Sequence, residues 1–244
     1  MKRNILSFIM VMTSVVAMAQ TDLWVWQNGV YTQMAQVDSI TFTKPVGKLS
    51  YEAVDLGLSV NWATCNVGAA HFYEPGDYFA WGEVLTSNDY SSENYDFSIG
   101  TTAAVLDARY DAATVHCGGE WRMPTAAEIE ELTSEDNTKW TWYEKGNTAF
   151  NGQAGWLVTS KKTGYTGSSI FLPCAGYYDG TTSYFGNSVR FWGASRDYNT
   201  GKVAALSCSF GASSSSESGR AKQCSWFDDN KRYMGFTIRA VRSK

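Results

Sequence analysis

Between Cys117 and Leu132 the chain reads CGGEWRMPTAAEIEEL, and this stretch dictates a stop, a crossing and a start. Gly118 and Gly119 follow Val105, Ala108, Ala112 and Val115, apolar residues spaced by three or four, which is the stripe of an amphipathic helix closed by a glycine cap. That helix is expected to end near Cys117. Pro124 holds the next residues extended, so that the chain crosses the core on Trp121 and Met123. Thr125 and Glu128 have the spacing of a capping box, with Ile129 and Leu132 as the buried side of a second helix over about 126–134.

Upstream, Lys2 and Arg3, an apolar run over 5–16 and Ala17-Met18-Ala19 form the three-part pattern of a cleavable secretory signal over residues 1–19. A membrane anchor is the alternative, but Ser7, Thr13 and Ser14 interrupt the run, which is short for the roughly 20 apolar residues a span needs. No later stretch is long and apolar enough to span a membrane. Loss of Lys2 and Arg3 with the signal takes the formal charge from −4 to −6, which argues against nucleic acid as a partner, since phosphate binding is driven by Lys and Arg. With 44% apolar, 15% aromatic and 18% charged residues, the rest is expected to be one core-forming domain with a small appendage.

The five cysteines, Cys65, Cys117, Cys174, Cys208 and Cys224, allow at most two bridges and leave one thiol over. A bridge between Cys208 and Cys224 would close a Ser-rich loop, worth about 3 kcal/mol in the chain-entropy account. Buried thiols acting as small hydrophobes are the other reading.

The appendage, residues 20–47, opens on a β-hairpin over 23–34. Asn28-Gly29 suits a tight turn with positive φ and pairs Trp26 with Tyr31. A short strand through Ile40 and Phe42 and a join over 44–47 follow; the hairpin serves either as a packing flap or as an aromatic patch for docking. In the main domain, residues 48–244, Val54, Leu56, Leu58, Val60 and Trp62 alternate with small or polar residues and predict one strand. Tyr78-Phe79-Ala80-Trp81 is a short buried segment within a loop region over 65–100. Short strands are expected over 156–160, 169–172, 189–192, 203–210 and 236–241, with a low-complexity loop over 211–219. In the last strand Phe236, Ile238 and Ala240 share a face that Arg239 does not. Two helices followed by several strands indicate an α+β arrangement rather than a βαβ repeat.

The order NWATCNVGA (61–69), GDYFAWGE (76–83), GGEWRMPTAAEIEEL (118–132), SIFLPCAGY (169–177), RFWGAS (190–195) and GFTIRAV (235–241) resembles the Fibrobacter succinogenes major paralogous domain. That family belongs to the C-type-lectin-like folds, which also include formylglycine-generating enzymes. The resemblance covers residues 50–244 and implies a C-type-lectin-like α+β domain: two helices, small antiparallel sheets, and first and last strands side by side, here preceded by the short β-hairpin. The chain departs from the pattern at Lys139, where members with a cysteine before a Trp-x-Trp pair would bridge to Cys65. The sugar motifs of calcium-dependent lectins are also missing: Glu74-Pro75-Gly76 has glycine for an amide, and Trp226-Phe227-Asp228-Asp229-Asn230 only approximates a cation loop.

The two histidines, His71 and His116, have no spaced partners for zinc, and His116 suits the negative end of the first helix. Nucleophile-elbow, phosphate-loop and dinucleotide motifs are absent from the sequence, and no cofactor is implied. Cys208 and Cys224 stand too far apart in sequence for the close thiol pair of formylglycine-generating enzymes. A glycosidase would need two carboxylates across a cleft, for which Glu74, Asp77, Asp228 and Asp229 are the candidates. Glu130, Glu131, Glu135 and Asp136 form the wet side of the second helix.

The region from 192 to 233 is different in character. It interleaves Trp192, Tyr198, Trp226 and Tyr233 with Arg196, Asn199, Asp228, Asp229, Asn230 and Arg232, large contact area beside adaptable hydrogen-bonding groups, as binding surfaces use. These ten residues are the expected ligand contacts; the other reading is that Trp192 and Phe227 belong to the core and the polar residues only solubilise the loops. The sequence therefore points to a secreted or cell-surface, non-catalytic binding module for an extracellular glycan or protein, with the periplasm as another destination. Three alternatives stand beside it: the variable protein of a diversity-generating retroelement, a structural component of a surface assembly, and an enzyme with an unrecognised carboxylate pair.

Overall fold

The computed structural model describes residues 23–27, 30–34, 51–101, 103–186, 188–209 and 222–244, in a unit Met1–Lys44 and a unit Pro45–Lys244. In the first unit, β1 (Leu23–Gln27) and β2 (Val30–Met34) pair antiparallel with Trp26 opposite Tyr31, the register a two-residue connection demands. The export segment, the turn at 28–29, the strand through Ile40 and Phe42, the join at 44–47 and the loop over 211–219 lie outside the described residues.

In the second unit, β3 (Ala53–Asp55) and β4 (Asn61–Asn66) pair antiparallel, with Val54 opposite Trp62 and Asp55 opposite Asn61. The single strand expected over 54–62 is therefore a correction: the chain folds back within it. Asp55 Oδ1 accepts the Gly57 N–H at 2.8 Å, and Gly57 takes φ of 72°, which a side chain at that position would resist. The alternation survives as burial, with Leu56, Leu58, Val60 and Trp62 inside and Ser59 exposed.

The first helix, α1 (Ala112–Cys117), is also shorter than its apolar stripe. Asp107 caps a separate 3-10 turn over Ala108–Tyr110, and Asp111 accepts the Thr114 N–H to start α1 afresh. Two aspartates competing for backbone N–H groups thus break the helical period. Val105 instead bridges to Ser195, and both it and Val115 are exposed. The stop is where the glycines place it, at Gly118 with φ of 67°.

Helix α2 (Ala126–Thr133) follows as expected, with the capping box between Thr125 and Glu128 fully made and Ile129 and Leu132 buried. Thr125→Ala should cost about 1 kcal/mol in chemical denaturation, the usual loss for a side-chain N-cap. Burial opposes the charge of Glu128, but Arg122, 2.6 Å and 2.8 Å away, and the Thr125 N–H outweigh it and hold the carboxyl below its ordinary value. A depressed folded-state pKa contributes stability that is complete above the unfolded value and lost as pH falls through the folded one. The stability difference between wild type and Glu128→Gln should therefore shrink as pH drops below about 4, which denaturation at several pH values would measure.

Three small antiparallel sheets complete the unit. Strands β5 (Thr138–Tyr143), β6 (Gly155–Ser160) and β7 (Ser169–Pro173) form one, in that order. A two-stranded ribbon, β8 (Tyr178–Asp179) and β9 (Thr182–Ser183), leads to the second sheet, β10 (Ser188–Arg196), β11 (Val203–Ser209) and β12 (Lys222–Phe227). The closing strand β13 (Arg239–Arg242) lies on β4, Val241 opposite Trp62, so the third sheet runs β13-β4-β3 and joins the two ends of the unit. The α+β class expected from the order of elements is what is found.

The second sheet is covered on both faces. One face turns Val189, Phe191, Leu206 and Cys208 toward Ile129 and Leu132 of α2. The other turns Trp192, Val203 and Ala205 toward Phe79, Trp81 and Phe236. Trp192 stacks on Phe236 at 4.0 Å and donates its indole N–H to Phe79 O at 2.9 Å, while Trp81 donates to Gly193 O at 2.8 Å. The large rings are thus buried with their one polar atom paired. Cys65, Cys117, Cys208 and Cys224 are thiols, so the Ser-rich loop is not closed by a bridge between Cys208 and Cys224. Burial pushes the Cys117 and Cys224 thiols up to about 12, the behaviour of core hydrophobes rather than of nucleophiles.

Candidate binding surface

Strand β10 bulges away from β11 after Trp192, the ladder shifting register before Arg196 again faces Val203. Beyond that point its backbone bonds elsewhere: Ala194 N–H to Pro124 O at 2.7 Å and Arg196 N–H to Ala104 O at 2.7 Å. The bulge carries the turn 197–202 to the end of the sheet, beside Asp228 at the exit of β12 and the 3-10 turn Asp229–Lys231. Two loops distant in sequence thus form one surface.

Within the first loop Asp197 accepts the Asn199 N–H at 2.9 Å and the Thr200 hydroxyl at 2.8 Å. The Thr200 hydroxyl and the Asn199 N–H hold its carboxyl below the ordinary value. Lys202 pairs with Asp228 at 3.0 Å, and Asp229 pairs with Arg232 at 2.9 Å and with Arg196 at 3.7 Å. Gly201 packs so closely that an added Cβ would lie 3.2 Å from Asp229 Oδ1. The loops are tied to each other before anything binds them. Lys231 in turn donates to the Tyr233 hydroxyl at 3.2 Å, which raises the lysine's pKa.

What remains free is aromatic and amide. Tyr198 is 71% exposed and Trp226 41% exposed, with Asn199 and Asn230 also exposed. Tyr233 is half-buried. Trp226 alternates with Phe227 and so stands on the opposite face of β12 from the Trp192 cluster.

Two of the expected contacts are corrected. Trp192 and Arg232 are each 0% exposed and offer a ligand no surface. Trp192 is core because β10 is covered on both faces. Arg232 points under the loop, giving hydrogen bonds to Phe97 O at 2.7 Å, Ile99 O at 2.6 Å, Asp229 O at 3.2 Å and the Tyr95 hydroxyl at 3.3 Å. Arg196, with its side chain only 11% exposed and bonded to Thr101 O at 3.2 Å, likewise braces the loop.

The carboxylates considered for hydrolysis are mostly occupied. Glu74 is paired with His71 at 2.9 Å and accepts the N–H groups of Ala70 and His71, and Asp228 and Asp229 have the cations named above. Asp77 differs: it lines an open cavity of about 250 Å³ with Tyr78, Thr86, Ser87, Asn88, Tyr90 and Tyr178, and burial raises its carboxyl's pKa. This concavity escapes sequence reading because its walls come from loops over 77–90 and a residue at 178. Glu131 is more than wet helix surface, since it accepts the Ser59 N–H and hydroxyl. His116 lies in the last turn of α1, its Nε2 2.7 Å from Val84 O. Among the described residues no group of three or more His, Cys, Asp or Glu is placed to hold a metal ion, and no helix is long and apolar enough to cross a membrane.

Comparison of the chain with protein-family models, with curated proteins and with solved structures finds no match.

Proposed function

We propose that this chain is an exported, non-catalytic binding module of the C-type-lectin-like fold, taking an extracellular glycan or protein on the loops at the end of the β10–β12 sheet. The fold assignment is supported by the order of motifs from Asn61 to Val241, the two short helices and the pairing of β4 with β13. Export is supported by the three-part segment over 1–19.

One observation carries the binding reading. Tyr198, 71% exposed, stands on a turn whose base is fixed by Asp197, Arg196 and Asp229. A rigid aromatic group loses little conformational freedom when it is covered, so binding costs less there than on a loose loop. Asn199, Asn230 and Trp226 supply hydrogen bonds and a second aromatic group at the same end of the sheet.

The test is a glycan and protein array probed with residues 20–244, with calcium present and absent. At least one extracellular glycan or protein should be retained, and its signal should fall with Tyr198→Ala. Retention of nothing, or of ligands indifferent to that change, counts against the reading.

A further inference from the structure

Four arginines of the main unit are drawn into its interior; two of them are fully provided for, and Arg196, although its Nε is unpaired, keeps Thr101 O at 3.2 Å and the Asp229 carboxylate at 3.7 Å. Arg239 gives hydrogen bonds to Asn66 Oδ1, Ala63 O, Thr64 O and Phe171 O, and Arg232 has the acceptors described above. Arg190 in β10 is the exception. Its Nε is buried without a hydrogen-bond partner, and among the described residues no carboxylate pairs with its guanidinium. The guanidinium carbon instead lies 3.9 Å from the Tyr177 ring centroid, 5.3 Å from that of Phe236 and 5.7 Å from that of Phe227.

A second unpaired group lies two residues away. Ser188 is 4% exposed, and its hydroxyl has no partner among the described residues. Residues 188 and 190 share a face of β10. Across the sheet on that face, Arg190 is opposite Ser207 and Ser207 opposite Gln223, whose amide donates to the Ser225 hydroxyl at 3.2 Å. Ser207 and Ser225 are half-buried and Gln223 is exposed. Tyr177 stacks on Tyr184, 40% exposed, with ring centroids 4.7 Å apart.

A half-buried cation without a counter-ion disfavours the folded chain: burial lowers its pKa, and the ring faces return only part of the lost hydration. We propose that Arg190 is the receptor for the carboxylate of an acidic sugar, a uronate, with the sugar hydroxyls set along Ser207, Gln223 and Ser225. The planar guanidinium matches a carboxylate bidentately. The neighbouring hydroxyls, amide and aromatic rings suit a polyhydroxylated ring with one apolar face. An acidic peptide fits less well, because a chain of formal charge −4 repels a polyanion at long range but can still hold one carboxylate at contact.

The inference rests on the binding-module reading, but it concerns a different patch from Tyr198. The test is titration of the full chain with methyl glucuronide, methyl glucoside and an aspartate-rich peptide. It is followed by calorimetry and by the arginine Nε–H resonances, and repeated on Arg190→Gln and Arg190→Lys. The glucuronide should bind saturably, shift the Arg190 Nε–H resonance and weaken at least tenfold in Arg190→Gln, with Arg190→Lys in between and melting temperatures equal to or above wild type. Equal binding of glucuronide and glucoside, no binding of either, preference for the peptide, or a clear loss of stability in Arg190→Gln would each overturn it. Neutral glycans held through Tyr198 would leave the binding-module reading standing even then.

Discussion

Replacing Arg239 by methionine should destabilise the chain by more than about 3 kcal/mol in chemical denaturation. Arg239 is 0% exposed, and its guanidinium is the donor for Asn66 Oδ1, Ala63 O, Thr64 O and Phe171 O. Methionine keeps most of the volume and supplies no donor, so the loss is one of unpaired buried acceptors, each costing about 1–3 kcal/mol. Burial pulls the pKa of this arginine down from its ordinary value. Four oxygens around one guanidinium are what make the charge tolerable there. They also join β4, β13 and β7, so the same change should loosen hydrogen-exchange protection on all three strands together.

The second large effect is expected at Arg232, where alanine should cost about 3–5 kcal/mol and loosen the binding surface as well. Arg232 is the shared donor for the Phe97, Ile99 and Asp229 carbonyls and forms an ion pair with the Asp229 carboxylate. The carboxylate is 45% exposed and its ion pair is screened, so most of the cost lies with the carbonyls and with the space left among Trp81, Tyr95 and Phe97. Hydrogen exchange over residues 95–101 and 229–233 should rise in this variant and stay at wild-type levels in Tyr198→Ala. Equal protection in both would mean that Arg232 does not brace the loop.

These arginines also show where reading the sequence stops. Alternation along the last strand separates Arg239 from Phe236, Ile238 and Ala240, and it does so correctly, yet both faces are buried. A charged residue reads as solvent-facing unless its acceptors are known, and those of Arg239 come from residues 63, 64, 66 and 171. The same limit applies to Trp192, whose partners Phe79 and Phe236 lie far away in the chain. Local signals transferred well because they are local physics. The capping box at Thr125, the glycine stop at Gly118, the Trp26 to Tyr31 pairing and the strands at 155–160, 169–173 and 203–209 needed nothing from elsewhere.

Where a local signal failed, a second local signal opposed it. Asp107 and Asp111 cut the helix that the apolar stripe extends back to Val105, and Asp55 with Gly57 folds back the strand that the alternation continues to Trp62. Strand β12 carries only a short alternation of its own: in KQCSWF Cys224 and Trp226 alternate with Gln223 and Ser225 before Phe227 breaks the pattern, and its pairing with β11 is what makes it a strand. Of the ten expected ligand contacts, the exposed ones are those at turn tips and strand ends. Arginine beside aspartate in such a segment reads equally as a ligand contact or as a brace, and only the geometry separates Arg232 from Asn230.

The binding account is tested most directly by measuring the affinity of an arrayed ligand for wild type, Tyr198→Ala, Trp226→Ala and Thr125→Ala, with the melting temperature of each. Each aromatic variant should bind at least about tenfold more weakly, the loss of about 1.4 kcal/mol expected where a large exposed ring anchors a contact, without losing stability. Thr125→Ala should bind as wild type while melting earlier. Unchanged affinity in both Tyr198→Ala and Trp226→Ala, with all variants folded, would contradict a ligand surface at this end of the sheet.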